Sequence, residues 1–404
     1  MIKQKNQSIS TLLAFSLIPL SGFATDVYIP SLPSMGADLH VSSIQVQMTL
    51  TVFLISYGVS QLFIGSILDS FGRFRISLGA LLVFIIASLV IALTDHIYLI
   101  YAMRIVHGIS VAIIVVSKRA YFVDLYTGEK LKHYLSLFTI IWSAGPIIAP
   151  FLGGYLQTIF GWQSNFYFLA AFASVIAVLE VIYSGETLSN PAEFHLKKIV
   201  GIYLKMFKTV SFSLGLFMLC FAYSMVMVYN MTGPYIIEHQ LGLTPIVAGT
   251  CSLILGLAWM SGGFISKALI TRPFYKKLAI NTGLQIVFVL IMIFSLNYFT
   301  SIYALVFFAF LIHAGAGFTY NIYFTYCLSK FPNNAGIAGG LSGGFVYIVL
   351  SFLTYAILNV FPAKDERNLS FSYLILIILS AIGMYLVYLM NRKQKNNKLE
   401  MSKM

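Results

Sequence analysis

Long apolar runs alternate with short polar joints along the whole chain. A hydrocarbon core about 30 Å thick needs about 20 mainly apolar residues to cross it as a helix. Runs of that kind predict spans at 10–33, 44–67, 76–94, 97–119, 135–158 and 164–183. A polar connector follows at 184–208, then further spans at 209–232, 246–266, 278–295, 301–328, 337–358 and 371–390. In lipid the backbone must satisfy its own hydrogen bonds, so these runs are helices. The expectation is an all-α membrane protein of twelve transmembrane helices in two six-helix halves. The N-terminal bundle covers 1–183, a cytoplasmic connector 184–208, and the C-terminal bundle with a short tail 209–404. The joins at 94–97 and 296–301 demand tight hairpins. The first run contains Asp26, continues into Pro30 and Pro33, and shows no small-residue cleavage pattern. It reads as a retained span, not a signal peptide.

Composition agrees with this pattern: 59 % of residues are hydrophobic and 9 % charged, against about 25 % charged in soluble domains. The formal net charge of +12 would suggest nucleic acid in a soluble protein. Its distribution says otherwise. With the N-terminus inside, 22 of the 25 Lys and Arg fall on the inner side. They are Lys3, Lys5, Arg73, Arg75, Lys118, Arg119, Lys130, Lys132, four between Lys197 and Lys208, four between Lys267 and Lys277, Lys330, and five from Arg392 onward. Such an excess sets orientation, so both termini are expected in the cytoplasm and no nucleic-acid partner is expected. Cys220, Cys251 and Cys327 lie in or beside apolar runs, which suits buried small hydrophobes. No metal site, cofactor or catalytic cluster is legible in the pattern, which leaves little room for an integral-membrane enzyme.

Charges inside spans are costly and are functional candidates by default. Three stand out: Asp26, Arg104 and Glu180. Glu180 lies near the end of its span, where interfacial water is within reach. Asp26 and Arg104 come out at similar depth when residues are counted from opposite faces at 1.5 Å each. Two readings stay open for them: a static pair that fixes helix 1 against helix 4, or a proton site whose affinity follows conformation. His107 lies one turn from Arg104 and adds a titratable group, as a relay or as a packing residue. His313, Tyr28, Tyr57, Gln61, Tyr229, Asn230, Gln285 and Asn321 are further candidates for a polar cavity, or for seams between helices.

Two further stretches carry structure. The loop after the second span contains Gly65, Asp69, Gly72, Arg73 and Arg75. Asp69 could accept from a neighbouring helix N-terminus, Gly72 permits a sharp turn, and the arginines sit at the membrane face. Simple anchoring or an inner gate latch both fit. Glycine-rich runs recur in the two halves: Gly145-Pro146 to Pro150 and Gly153-Gly154 in helix 5, and Gly336, Gly339-Gly340 and Gly343-Gly344 in helix 11. Small residues let helices approach closely, for packing or for a sliding seam.

The loop from Gly65 to Arg75 resembles the signature of the major facilitator superfamily. Thr25-Asp26-Val27-Tyr28-Ile29-Pro30-Ser31-Leu32-Pro33 resembles the first helix of bicyclomycin-resistance (Bcr/CflA) type drug:proton antiporters. Arg104-Ile105-Val106-His107-Gly108, Ser117-Lys118-Arg119-Ala120 with Asp124, and Gly145 to Gly154 followed by Gly161-Trp162 are similar to the same type, as is Pro332-Asn333-Asn334-Ala335-Gly336. The resemblance covers nearly the whole chain. It implies the major facilitator fold, with Asp26 as the embedded acid tied to coupling and Arg104 as the cavity arginine. Asp69 and Arg73 would belong to the inner gate, and Gly145 to Gly154 to the bend of helix 5. His107 stands where the family usually has Gln, and Ser70 replaces the usual basic residue after Asp69. The expected function is proton-coupled export of a small organic molecule across the bacterial inner membrane by a monomer, with protons as the coupling ion and no cofactor. A proton-coupled importer is the alternative.

Overall fold

The computed structural model describes residues 6–188, 191, 196–298, 300–331 and 335–401. Pro332, Asn333 and Asn334, expected to lead into helix 11, lie outside the described residues, as do Lys3, Lys5 and Lys403. Among the described residues, 12 helices are long and apolar enough to span a membrane. They are α1 Gln7–Asp38, α2 Ser43–Phe71, α3 Phe74–Leu93, α4 Ile97–Leu125, α5 Gly128–Phe160 and α6 Gln163–Tyr183. The second set is α7 Val210–Gln240, α8 Pro245–Ala268, α9 Phe274–Ser295, α10 Ile302–Lys330, α11 Ile337–Val360 and α12 Glu366–Arg392. A shorter helix, Leu196–Phe207, occupies the connector.

Several helices run past the apolar stretch that announced them. α2 continues through Asp69 to Phe71, and α4 continues through Lys118 and Asp124 to Leu125. Helical hydrogen bonding does not stop where hydropathy does; it stops where the backbone turns. Gly72 ends α2 at φ 97°, and Gly161 ends α5 at φ 82°, conformations in the left-handed half of backbone space that favour glycine. Lys118, at the end of the predicted span 97–119, lies buried within α4 and pairs with Glu180 of α6 at 2.7 Å. Glu180 is likewise buried and does not face interfacial water.

The described chain forms two compact units. Unit 1 comprises Met1–His195 with Gly233–Leu253, and unit 2 comprises Leu196–Thr232 with Ile254–Met404. In unit 1, α4 packs on α2 and α3, α3 on α6, and α1 on α5. In unit 2, α9 packs on α10 and α12, and α10 on α11.

α1 is broken, as its prolines imply. It has helical segments Gln7–Leu17, Leu20–Asp26 and Leu32–Asp38, with a 3₁₀ turn over Ile29–Ser31. Each proline removes a backbone donor that a continuous helix would use. α5 stays helical through Pro146 and Pro150. Its glycines are contact points. A Cβ on Gly145 would meet the Pro19 carbonyl at 2.9 Å, and one on Gly153 would overlap the Val27 carbonyl. Gly154 meets the backbone of Pro245 and Ile246, and Gly249 meets the Pro150 carbonyl. The helix 11 glycines differ: Gly340 has open space around it, and Gly339 only a Leu328 methyl at 3.6 Å. At these two positions helix 11 does not make the close backbone contacts of the α5 glycines.

Candidate functional site

Asp26 ends the middle segment of α1, just before the 3₁₀ turn, and is buried. Arg104 approaches from α4 with 0 % of its surface exposed, and the two interact electrostatically. The solvation of Arg104 comes from protein. Nη1 donates to the Ala24 carbonyl at 2.8 Å, Nε to the Thr49 carbonyl at 3.4 Å, and Nη2 to the Tyr28 hydroxyl at 3.4 Å. Its guanidinium lies 4.3 Å from the Phe53 ring centroid and 4.6 Å from that of Tyr28. Desolvated cation–π contacts contribute about 2 kcal/mol or more each. Thr49 Oγ1 fixes the Tyr28 hydroxyl at 2.9 Å.

His107 completes this cluster. Its Nδ1 is 3.3 Å from Arg104 Nη1, and its Nε2 is 3.0 Å from Ser88 Oγ. A guanidinium can only donate, so Nδ1 accepts and the proton of the neutral ring sits on Nε2. Phe84 stacks on the ring at 4.4 Å. This is the geometry of a hydrogen-bond acceptor that orients Arg104. Tyr57 stacks on Phe53 at 5.9 Å, its hydroxyl facing Ser21, Gln61 and Trp142. Asp26, Tyr28, Tyr57, Gln61, Arg104 and His107 thus all fall in unit 1.

Tyr229, Asn230, His313 and Asn321 fall in unit 2. His313 is buried; its Nε2 is 3.0 Å from the Tyr373 hydroxyl and its ring stands edge-on to Tyr229 at 5.6 Å. Gln285 Nε2 donates to the Ile312 carbonyl at 3.0 Å. Asn230 is buried, whereas Asn321 is exposed and donates to Gly317 of its own helix at 2.9 Å. Asn321 lies about two turns along α10 from His313 and is not part of that group.

The two units repeat one arrangement. In α4, Gly108 lies against the Phe53 carbonyl of α2; in α10, Gly317 lies against the Trp259 carbonyl of α8. Four residues before each glycine stands a basic residue, Arg104 or His313. Val27-Tyr28 precedes Pro33 as Val228-Tyr229 precedes Pro234, by the same spacing. Each unit then sets its basic side chain against that tyrosine ring. A permanent charge in unit 1 corresponds to a titratable group in unit 2. The paired spacings were legible in the sequence, but neither is informative until the contacts align the registers.

The loop after α2 holds an ion network. Arg73 pairs with Asp69 at 2.9 Å through Nη2 and with Asp124 through Nη1; Thr187 Oγ1 donates to Asp124 at 2.7 Å. Gly65 is half-buried beside Val116. The expectation that Asp69 accepts from a helix N-terminus needs correction. That role belongs to Glu186, which sequence reasoning passed over. Its carboxylate accepts the backbone N–H groups of Arg73 and Phe74, each at 3.0 Å, and of Thr187 and Leu188, each at 3.1 Å. Burial pushes the Glu186 carboxyl up, but the four amides outweigh it and hold it below the usual Glu value. Nothing in the polar stretch after α6 singled out this glutamate, because its partners are main-chain groups.

Known proteins are similar to this chain in sequence and in fold. Multidrug resistance protein D of Escherichia coli (strain K12) is 26 % identical over 349 residues, which is 85 % of this chain and 86 % of that protein. A multidrug resistance protein MdtL, from Shewanella oneidensis, is 27 % identical over 334 residues, 82 % of this chain and 84 % of the relative. A bicyclomycin resistance protein homolog of Haemophilus influenzae is 34 % identical over 187 residues, 46 % of this chain and 47 % of that protein. Among solved structures, a bacterial homolog of the human lysosomal transporter Spinster superposes with a TM-score of 0.74 at 13 % identity, covering 96 % of this chain and 98 % of the other. A D-xylose-proton symporter superposes with a TM-score of 0.70 at 17 % identity, covering 94 % and 96 %. At such identities these two carry the fold alone. The sequence profile of the Major Facilitator Superfamily matches residues 14–352, so this multi-pass membrane protein belongs to that superfamily of transporters, with relatives of the bicyclomycin-resistance, multidrug type.

Proposed function

We propose that the protein is a proton-coupled exporter of a small organic molecule, a drug or a secreted metabolite such as a siderophore. It works by alternating access in the bacterial inner membrane, as a monomer with both termini in the cytoplasm, and needs no cofactor. The observation that carries this reading is the fully buried Asp26–Arg104 cluster of unit 1. A carboxylate and a guanidinium removed from water are expensive to maintain, and a protonatable acid beside a fixed cation provides an exchangeable charge. Proton and substrate compete for Asp26, so release of one accompanies capture of the other, without bond chemistry. Tyr28, Thr49 and His107 hold the arginine in place for that exchange. His313 with Tyr229 and Asn230 supplies the corresponding polar surface of unit 2. Arg73 with Asp69 and Asp124 acts at the inner gate, and Gly145 to Gly154 form the close seam of α5. The multidrug-resistance names of the relatives support the outward direction.

Proteoliposomes loaded with a bacterial metabolite extract test it, with ethidium as a parallel probe and an imposed pH gradient. Export against an inward proton flow is the expected outcome, with Asp26→Asn keeping solute counterflow but losing the response to the gradient. Solute moving in the direction of the protons would select the importer. Equal gradient response in wild type and D26N would remove Asp26 from the coupling.

A further inference from the structure

The connector carries a surface that transport itself does not use. Its helix, Leu196–Phe207, belongs to unit 2. Only Lys208 and Thr209 separate it from Val210, the first residue of α7. From Phe207 to Val210 the chain can reach at most about 10 Å, and hydrogen bonds close the junction further. The Lys208 N–H donates to the Leu204 carbonyl at 3.1 Å and the Thr209 N–H to the Met206 carbonyl at 3.0 Å. Ser213 Oγ, in the first turn of α7, donates to the Phe207 carbonyl at 2.8 Å. The Phe207 ring rests against Phe345 of α11 at 5.3 Å. The C-terminal end of this helix is thereby held at the level where α7 enters the membrane.

The two faces of the helix differ. Met206 is buried, and Ile199, Ile202 and Tyr203 are half-buried; these side chains face the protein. Lys197, Val200, Gly201, Leu204, Lys205 and Lys208 are exposed, and steps of three and four residues gather them on the opposite side. Leu204 is 58 % exposed and Val200 36 %. None of the four ion pairs among the described residues includes Lys197, Lys205 or Lys208. The sequence offers little compensation, since no Asp or Glu occurs between Glu193 and Glu238. Uncompensated lysines interleaved with exposed aliphatic side chains, at membrane level, match a lipid headgroup layer. There the lysine stems follow apolar surface while their ammonium groups reach phosphates.

We propose that the exposed face of the connector helix binds the headgroups of anionic phospholipids. Lys197, Lys205 and Lys208 meet the phosphates, and Val200 and Leu204 enter the acyl boundary beneath them. Zwitterionic headgroups carry no net charge to answer the lysines, so the contact selects anionic lipid. It gives unit 2 an anchor whose strength follows membrane composition. The choice of leaflet rests on the proposed cytoplasmic placement of the connector; the binding does not.

Gly201 supplies the probe position, because a Cβ there meets nothing within 4 Å and the three native thiols are buried. Full-length Gly201→Cys carries a polarity-sensitive fluorophore in lipid nanodiscs. The discs contain phosphatidylcholine alone, or phosphatidylglycerol in place of about a third of it. Quenching by lipids brominated in the upper acyl chain reports the ratio of lipid-associated to free helix. That ratio should rise with phosphatidylglycerol and fall again at about 0.5 M salt. It should drop about fivefold for each lysine replaced in Lys197→Gln, Lys205→Gln and Lys208→Gln, and the three arginine replacements should retain it. Equal quenching in both kinds of disc at either salt would overturn the proposal, as would full quenching in K197Q/K205Q/K208Q. Both leaflets of a disc hold the same lipid, so this readout is blind to orientation. Reporter fusions that placed the connector outside would move the contact to the other leaflet and overturn only the cytoplasmic placement.

Discussion

At the scale of single residues, the main lesson concerns Arg104. Position and charge were legible from the sequence, but its surroundings were not: two carbonyls, a hydroxyl, an imidazole and two aromatic faces come from α1, α2 and α4. No local pattern encodes such a set. The same applies to His107, for which titration and packing were equally plausible. Its Nδ1 accepts from Arg104 and its Nε2 faces a serine. His107→Gln keeps an acceptor and a donor, so transport by that variant should show the wild-type pH profile. A shifted optimum in proteoliposomes would return the histidine to the relay role. His107→Leu leaves an Arg104 donor without its acceptor and should cost about 1–3 kcal/mol, visible as a lower Tm in detergent.

At the scale of elements, hydropathy located all twelve spans but misjudged their ends. Polar residues that continue a helix carry no apolar signal, so α4, expected to end at 119, instead runs on through Asp124 to Leu125 with Lys118 inside it. The buried pair of Lys118 with Glu180 joins α4 to α6. Removing one partner leaves the other charge unpaired, a loss of about 3–5 kcal/mol. Lys118→Met or Glu180→Gln should therefore destabilise far more than the double replacement K118M/E180Q, a difference a thermal double-mutant cycle would reveal; additive losses would mean the two groups do not depend on each other. Glu186 caps the start of α3 in a different way. Its carboxyl lies below the ordinary Glu value, so its contribution is complete above the unfolded value of 4.5 and fades as the pH falls through the lower folded one. The hydrogen-exchange protection of residues 73–76, relative to their intrinsic exchange rates, should accordingly fall as the pH drops below 4.5. In Glu186→Gln those amides should exchange faster at every pH, with no acid step. Unchanged protection in E186Q would assign the α3 start to packing alone.

At the scale of the whole molecule, the count of twelve, the broken first helix and the fold family were all carried by sequence patterns: apolar run lengths, closely spaced prolines and motif resemblance. The repeat between the units was not. Its clearest element, a basic side chain set against a tyrosine ring, uses arginine once and histidine once, and residue identity conceals it. The distribution of Lys and Arg makes a topological prediction. A green fluorescent protein inserted after Arg75 or after Lys208 should fluoresce, whereas alkaline phosphatase inserted after Lys364 should be active, since each reporter works on one side of the membrane only. The opposite outcome at any of the three would reverse the orientation. The three thiols bear on how such motions can be followed. Cys220, Cys251 and Cys327 are all buried, at 0 %, 4 % and 0 % exposure. A thiol buried this far from water does not meet a charged maleimide. The native chain is thus a quiet background for spin labels and fluorophores, and reporter cysteines can be introduced without first stripping out the natural ones.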